Sequence, residues 1–263
     1  MPEGDSVAGH AERLRPLLEG QTIIGVEGTV AAVRTSSHRI LHATVSEIRT
    51  VGKNLLIDLS TGYSVRVHLG MPGRWQIIAS DQNPAGSARL VLTTERGRAV
   101  CHAAPTVEVD RTPAIDARVA GLGPDLLGEF DEDEFVRRAR TRDRLAMEDL
   151  LLDQRVLAGI GNVYKSELLF LEGVHPKTPC SRVGDHQLRS ITRRARKLLA
   201  ANIGPGTRST TGARGRGLQT WVYGRSGRPC RRCGHAIVRD SRGERVTYWC
   251  PTCQPRPSTS PVV

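Results

Sequence analysis

Aromatic residues are scarce in this chain, Phe, Trp and Tyr together making up 4% of its 263 residues. Binding of single-stranded nucleic acid relies on aromatic platforms for successive bases, so the composition argues against that mode and for a duplex backbone. No apolar run approaches the roughly 20 residues that cross a bilayer. No leader with a basic start and an apolar middle precedes the first helical pattern, and no internal repeat is visible. Lysine is nearly missing, at four residues. Two of the six cysteines, Cys101 and Cys180, stand alone and are expected to be buried as small hydrophobes. These absences point to a cytoplasmic protein without a membrane partner, associated with the nucleoid if the source is bacterial.

Charge is abundant but uneven. The chain has 38 Lys+Arg against 27 Asp+Glu, a formal +11. Residues 201–263 hold eleven Arg and no Lys against only Asp240 and Glu244, so +9 of that excess lies in the last quarter. A basic region of this density is the electrostatic footprint of a polyanion-binding surface, whose affinity falls steeply with salt as counterions are released.

The same region reads CRRCGHAIVRDSRGERVTYWCPTC over residues 230–253. Cys230, Cys233, Cys250 and Cys253 form two Cys-x-x-Cys pairs sixteen residues apart, the spacing at which four thiolates enclose one Zn²⁺. Between them, Ala236–Val238 and Val246–Trp249 flank a turn at Asp240–Gly243, the pattern of a β-hairpin too small to bury its own core. With four protein ligands the ion is structural, and its binding supplies folding free energy.

Along the rest of the chain, Val7, Ala11, Leu14, Leu17 and Leu18 recur at helical spacing until Gly20. Short β-branched segments follow at Thr22–Val26, Ala43–Val51, Asn54–Leu59, Ser64–Leu69, Trp75–Ile78, Arg89–Thr93 and Ala99–Cys101, punctuated about every ten residues. This rhythm predicts an antiparallel sandwich or barrel. From Asp110 to Glu134 the pattern dissolves. Asp131 then reads as an N-cap, with Phe135 and Val136 on the apolar face of its helix. Helical periodicity continues through Leu145–Val156, Val163–Leu171 and Asp185–Asn202.

The expected organisation is an α+β multidomain chain. Residues 1–115 form a catalytic antiparallel β-sandwich with a flanking helix, and 116–130 a linker. Residues 131–203 form a helical DNA-binding domain with a helix–two-turn–helix motif. A flexible Gly/Arg-rich segment (204–221), a zinc β-hairpin (222–254) and a disordered tail (255–263) follow.

Two stretches carry chemistry. The chain begins Met1-Pro2-Glu3-Gly4-Asp5, and removal of Met1 would leave the proline nitrogen as the terminus. An α-amino group titrates near about 7.7–8.0 against about 10.4 for lysine, so far more of it is neutral and nucleophilic at pH 7. A secondary amine on an aldehyde carbon gives a cationic iminium, an electron sink for elimination, and Glu3 beside it could move protons. Residues 151–176 place Gly159 and Gly161 between two apolar helices, with Asn162 as cap of the second. The amides at that helix start suit a phosphate. Alone, the dipeptide is a weak signal and the αα-hairpin an ordinary one.

Taken together, these elements resemble the formamidopyrimidine-DNA glycosylase/endonuclease VIII family of DNA repair enzymes. The resemblance runs in order through Met-Pro-Glu-Gly at the terminus, Val51-Gly52-Lys53, His68-Leu69-Gly70-Met71, Gly161-Asn162, Val222-Tyr223-Gly224-Arg225 and the four cysteines. It implies an eight-stranded β-sandwich followed by a helical domain and a zinc hairpin, with damaged duplex DNA in the cleft between the halves and a monomeric enzyme. Pro2 would attack C1′ of a flipped nucleotide, with Glu3 as acid/base and Lys53 as the catalytic β-hairpin lysine. His68, Asn162 and Arg245 correspond to a phosphate clamp, Met71 to the wedge filling the space of the flipped base, and Glu167 to an acid of unassigned role. Successive β- and δ-elimination would follow.

Two departures bear on substrate. Positions 4–5 are Gly-Asp where the formamidopyrimidine branch has Leu-Pro, and no Arg-Arg-Phe-Gly loop occurs in residues 95–113. The Gly-rich stretch before Gln219 is also short. All three favour the endonuclease VIII branch and oxidised pyrimidines. The alternatives are a formamidopyrimidine/8-oxoguanine glycosylase, a lyase with little base excision, and a non-catalytic zinc-ribbon sensor of DNA damage.

Overall fold

The computed structural model describes residues 2–84, 86–204, 206–213, 215, 217–242 and 245–257, the side chains of Arg242 and Arg245 excepted. The chain forms two compact units, Met1–Gly121 with Ile203–Pro205, and Leu122–Asn202 with Gly206–Val263.

The first unit starts with α1 (Gly4–Leu18) and β1 (Gly25–Glu27), then α2 (Ala31–Ile40). The strands β2 (Val45–Val51), β3 (Asn54–Leu59), β4 (Tyr63–His68), β5 (Arg74–Ile78), β6 (Leu90–Thr94), β7 (Gly97–His102) and β8 (Thr106–Arg111) follow, and α3 (Thr112–Val119) closes it. They build two four-stranded antiparallel sheets, ordered β1-β6-β7-β5 and β2-β3-β4-β8. Each strand that alternates in sequence turns one side inward. Leu55, Ile57, Val65 and Val67 of one sheet and Leu92, Ala99 and Cys101 of the other share a core with Val7, Leu14 and Leu18 of α1. The expected eight-stranded sandwich with a flanking helix is the observed one.

Three sequence expectations need correction here. α2 was not anticipated: its apolar signal is weak, only Val33 and Ile40 being buried, and Ser and Thr favour non-helical alternatives. The segment from Asp110 is not a dissolving boundary, since β8 runs to Arg111 and α3 follows at once. Its Pro113 lies in the first turn of α3, where a missing N–H costs nothing, so it starts a helix rather than breaking one. The helix expected over Leu145–Val156 is only α5, Met147–Leu150. Beyond it the Gln154 side chain holds a turn, donating to Leu152 O and Ile160 O at 3.0 Å and accepting from Gly159 N at 3.1 Å.

In the second unit α4 (Glu132–Arg140) opens as anticipated, Asp131 Oδ1 accepting from the Asp133 and Glu134 amides at 2.9 Å. After α5 come α6 (Asn162–Leu171) and α7 (Asp185–Ala201). Their core gathers Phe135, Leu150, Ile160, Tyr164, Leu168, Leu188, Ile191 and Leu199. The cap of α6 is Gly161; Asn162 is the first helical residue rather than the cap. β9 (Val238–Arg242) and β10 (Arg245–Trp249) pair antiparallel, with Asp240 inside β9 rather than in the turn. A small core of Phe170, Val222, Ile237 and Trp221 supports this hairpin. Among the described residues no helix is long and apolar enough to cross a membrane.

Candidate active site and metal centre

Both residues of the N-terminal motif stand where the chain enters α1. Pro2 is half-buried and Glu3 fully buried, its carbonyl accepting from Val7 N at 3.1 Å to close the first turn. α1 packs on β2 and β3, the strands joined by the turn that bears Lys53. That turn is two residues long: Val51 pairs with Asn54, leaving Gly52 and Lys53 between them. Gly52 has φ 60°, the first position of a hairpin turn that only glycine fills without strain. Asn54 locks the corner, donating to Val51 O at 3.1 Å and accepting from the Arg66 guanidinium at 2.8 Å.

Register brings His68 to the same corner, paired with Asn54 across β3 and β4. Burial, with the positive charges of Lys53 and Arg66, lowers the His68 pKa. Immediately after β4 the loop Leu69–Gly73 closes on itself through Gly73 N to Leu69 O at 2.9 Å. At Gly70, φ is 58° and a Cβ would stand 2.7 Å from Pro105. The outcome is a tight loop with Met71 at its tip, 67% exposed, which excludes a core-packing role for this methionine.

In the second unit α6 holds three polar side chains in an otherwise apolar helix. Lys165 is fully buried and its Nζ donates to Asn162 Oδ1 at 3.2 Å, Val246 O at 3.2 Å and Thr247 Oγ1 at 2.8 Å. Glu167, also fully buried, accepts from the amides of Trp221 (2.8 Å), Val222 (2.9 Å) and Tyr223 (2.8 Å) and from the Thr210 hydroxyl. It therefore anchors the stretch that leads into the zinc hairpin. Within residues 204–221, expected to be flexible, Ser209–Thr211 and Gln219–Trp221 are tied down by such bonds. Arg245 opens β10, and its side chain lies outside the described residues. The roles of Lys165 and Thr247 escaped the sequence reading. The signal was a lysine inside the run VYKSELLFL, where charge is costly unless paired.

The four cysteines converge. Their sulfurs all lie within 4.8 Å of one another, with Cys230 and Cys253 at 3.9 Å and Cys233 and Cys250 at 3.4 Å. A tetrahedral ion with Zn–S bonds of about 2.3 Å needs S···S separations of about 3.8 Å, so the cage fits Zn²⁺. Backbone amides reinforce it, Arg232 N donating to Cys230 Sγ at 3.4 Å and Cys253 N to Cys250 Sγ at 3.5 Å. It is a four-cysteine zinc site.

Comparison with known proteins agrees with this geometry. Residues 1–105 match the formamidopyrimidine-DNA glycosylase N-terminal domain, 122–213 its H2TH domain, and 227–256 the zinc finger found in FPG and IleRS. The chain is 40% identical to "Probable endonuclease 8 2" of Streptomyces coelicolor, across 99% of this chain and 96% of that protein. It is 44% identical to "DNA-(apurinic or apyrimidinic site) lyase Nei2" of Mycolicibacterium smegmatis, across 97% and 99%. Its fold matches Lactococcus lactis Fpg in complex with abasic-site DNA, with TM-score 0.83 at 24% identity, covering 97% of this chain and all of that one. The chain belongs to the formamidopyrimidine-DNA glycosylase/endonuclease VIII family, and its close relatives are endonuclease 8 proteins.

Proposed function

We propose that this chain excises oxidised pyrimidines from duplex DNA through a Schiff base on Pro2. Membership of the family makes it a DNA glycosylase and abasic-site lyase of base excision repair; substrate and residue roles are our reading. With Met1 removed, the Pro2 nitrogen attacks C1′ of a flipped nucleotide and the base leaves with its bonding electrons and a proton. The start of α1 favours this nucleophile, because a helix N-terminus carries partial positive charge that disfavours a protonated amine next to it. Loss of a C2′ proton expels the 3′-phosphate, and a second elimination expels the 5′-phosphate, leaving a gap with phosphates at both ends. Glu3 exchanges protons with the ribose, and Lys53 assists from its hairpin turn.

His68, Asn162 and Arg245 hold phosphates, and Met71 enters the space left by the flipped base, a role that suits an exposed apolar side chain. The protein acts as a monomer. The observation that carries the enzymatic reading is Glu3, a fully buried carboxylate next to the only proline that can become a terminal amine. A damage sensor would have no use for that pairing.

Borohydride trapping on duplex DNA with a natural abasic site tests the chemistry: a covalent adduct is expected, and its absence with binding intact would overturn it. A panel of duplexes, each with one defined lesion, tests the substrate. Thymine glycol and dihydrouracil should lead in initial rate. Efficient excision of 8-oxoguanine opposite cytosine, with thymine glycol untouched, would refute the pyrimidine reading.

A further inference from the structure

We propose that Lys165 is a positioning residue for DNA, fixing which end of the Asn162 carboxamide meets the phosphate and tying that side chain to the strand that carries Arg245. The proposal rests on the phosphate-clamp reading of Asn162 and deepens it. An Asn side chain is useful to a phosphate only through its NH₂ end, since the oxygen would repel the anion. Asn162 stands in the first turn of α6 and could turn either way. An ammonium has donors and no acceptor, so Lys165 Nζ at 3.2 Å accommodates only Oδ1. Nδ2, with both hydrogens, is left as the end turned away from the lysine.

The same ammonium reaches β10, donating to Val246 O at 3.2 Å and to Thr247 Oγ1 at 2.8 Å. Those residues directly follow Arg245. Thr247 Oγ1 in turn donates to Glu148 Oε2 at 2.6 Å, and Glu148 pairs with Lys177. The buried cation is thus linked to a buried carboxylate through one hydroxyl, the pairing that a charge removed from water requires. One side chain holds the start of α6 and the zinc-hairpin strand in a single arrangement.

The test is a double-mutant cycle in the full-length zinc-loaded protein, using Lys165→Met and Asn162→Ala. Methionine has a similar reach, and a cavity of about 70 Å³ lined by Lys165, Glu148 and Thr247 gives it room. Thr247→Val is a milder second variant that removes one of the lysine's acceptors, and it is read out whether or not Lys165→Met folds. The probe for binding is a duplex with one tetrahydrofuran abasic analogue, titrated at several salt concentrations. Chemistry is followed on a natural abasic site in single turnover at saturating protein.

Lys165→Met is expected to weaken binding by about tenfold, the worth of one charge-assisted contact. Its salt slope should drop by about 0.9, that of one phosphate. The saturated lyase rate should stay within about threefold of wild type. Thr247→Val should move affinity in the same direction by a smaller factor. Because Lys165 acts through Asn162, the double variant should bind no worse than Asn162→Ala alone. Full additivity would overturn the proposal, and so would wild-type affinity in Lys165→Met, or in Thr247→Val if Lys165→Met does not fold, while Asn162→Ala is weakened. If Asn162→Ala itself binds as wild type, the phosphate reading fails and takes this proposal with it.

Discussion

Replacing Glu167 by Gln keeps the shape of the side chain and removes an acceptor where only donors are present. Each carboxylate oxygen receives two hydrogen bonds: Oε1 from the amides of Val222 and Tyr223, Oε2 from the Trp221 amide and the Thr210 hydroxyl. Whichever oxygen becomes NH₂, at least one backbone amide loses its partner and faces another donor. A charge-assisted bond contributes about 1.5–3 kcal/mol, and a buried orphaned N–H costs about 1–3 kcal/mol. Glu167 has no exposed surface through which water could compensate. A loss of about 3 kcal/mol is therefore expected, which for a chain of this size lowers Tm by about 6–12 °C. The assay is thermal melting with zinc release followed by a chromogenic chelator, alongside hydrogen exchange at residues 221–223. Those amides should exchange faster and zinc should leave at lower temperature. Thr210→Val, which spares all three amide bonds, should cost only about 1 kcal/mol. Wild-type melting and protection in Glu167→Gln would refute the anchoring role.

The remaining predictions concern separate parts of the molecule. His10 Nδ1 lies 2.9 Å from the Arg13 guanidinium, which can only donate, so the imidazole accepts there as the neutral form. Burial, then Arg13, pushes its pKa down to about 4 from the usual 6.5. Between those values the unfolded chain binds more protons than the folded one, so His10 makes stability fall as pH drops from about 6.5 towards 4. His10→Gln should flatten that part of a Tm-against-pH curve, and an unchanged curve would contradict the assignment. Cys250→Ser or a strong chelator should unfold the hairpin and weaken binding to a damaged duplex; full affinity with no zinc by metal analysis would refute the structural role. Met71→Ala should leave Tm within about 1 °C, as an exposed side chain does, yet lower base-excision rates by about tenfold or more. Equal excision rates would remove the wedge.

The sandwich was legible because its strands alternate and are spaced by turns, so a period of two in sequence became an inner and an outer face. Zinc was legible because four thiols at fixed spacing leave few alternatives. Boundaries failed where local preference and tertiary context disagree. α2 has a Thr/Ser-rich sequence that only docking of Val33 and Ile40 makes helical. Pro113 looked like a stop until its place in the first turn of α3 made it a start. The helix read through Leu145–Val156 was interrupted by Gln154, whose bonds to Ile160 O and Gly159 N are visible only once the chain has turned back.

The candidate site divides along the same line. Lys53 and His68 were assigned singly from short motifs, and their adjacency follows from strand register: a two-residue turn at 52–53 and the pairing of Asn54 with His68. A hairpin is a local object, so its geometry is close to its sequence. Lys165 is the opposite case. A charge within VYKSELLFL announces that something must pair with it, because an unpaired ammonium in an apolar core costs several kcal/mol. What answers it, Thr247 and the carbonyl of Val246, lies some eighty residues away on a strand whose position depends on the zinc site. Sequence thus reports the demand at residue 165 and withholds the supplier. This is also why the metal, remote from any reacting atom, is expected to influence DNA affinity. Without the cage β10 has no fixed place, Lys165 loses two of its acceptors, and the amide of Asn162 loses the partner that orients it.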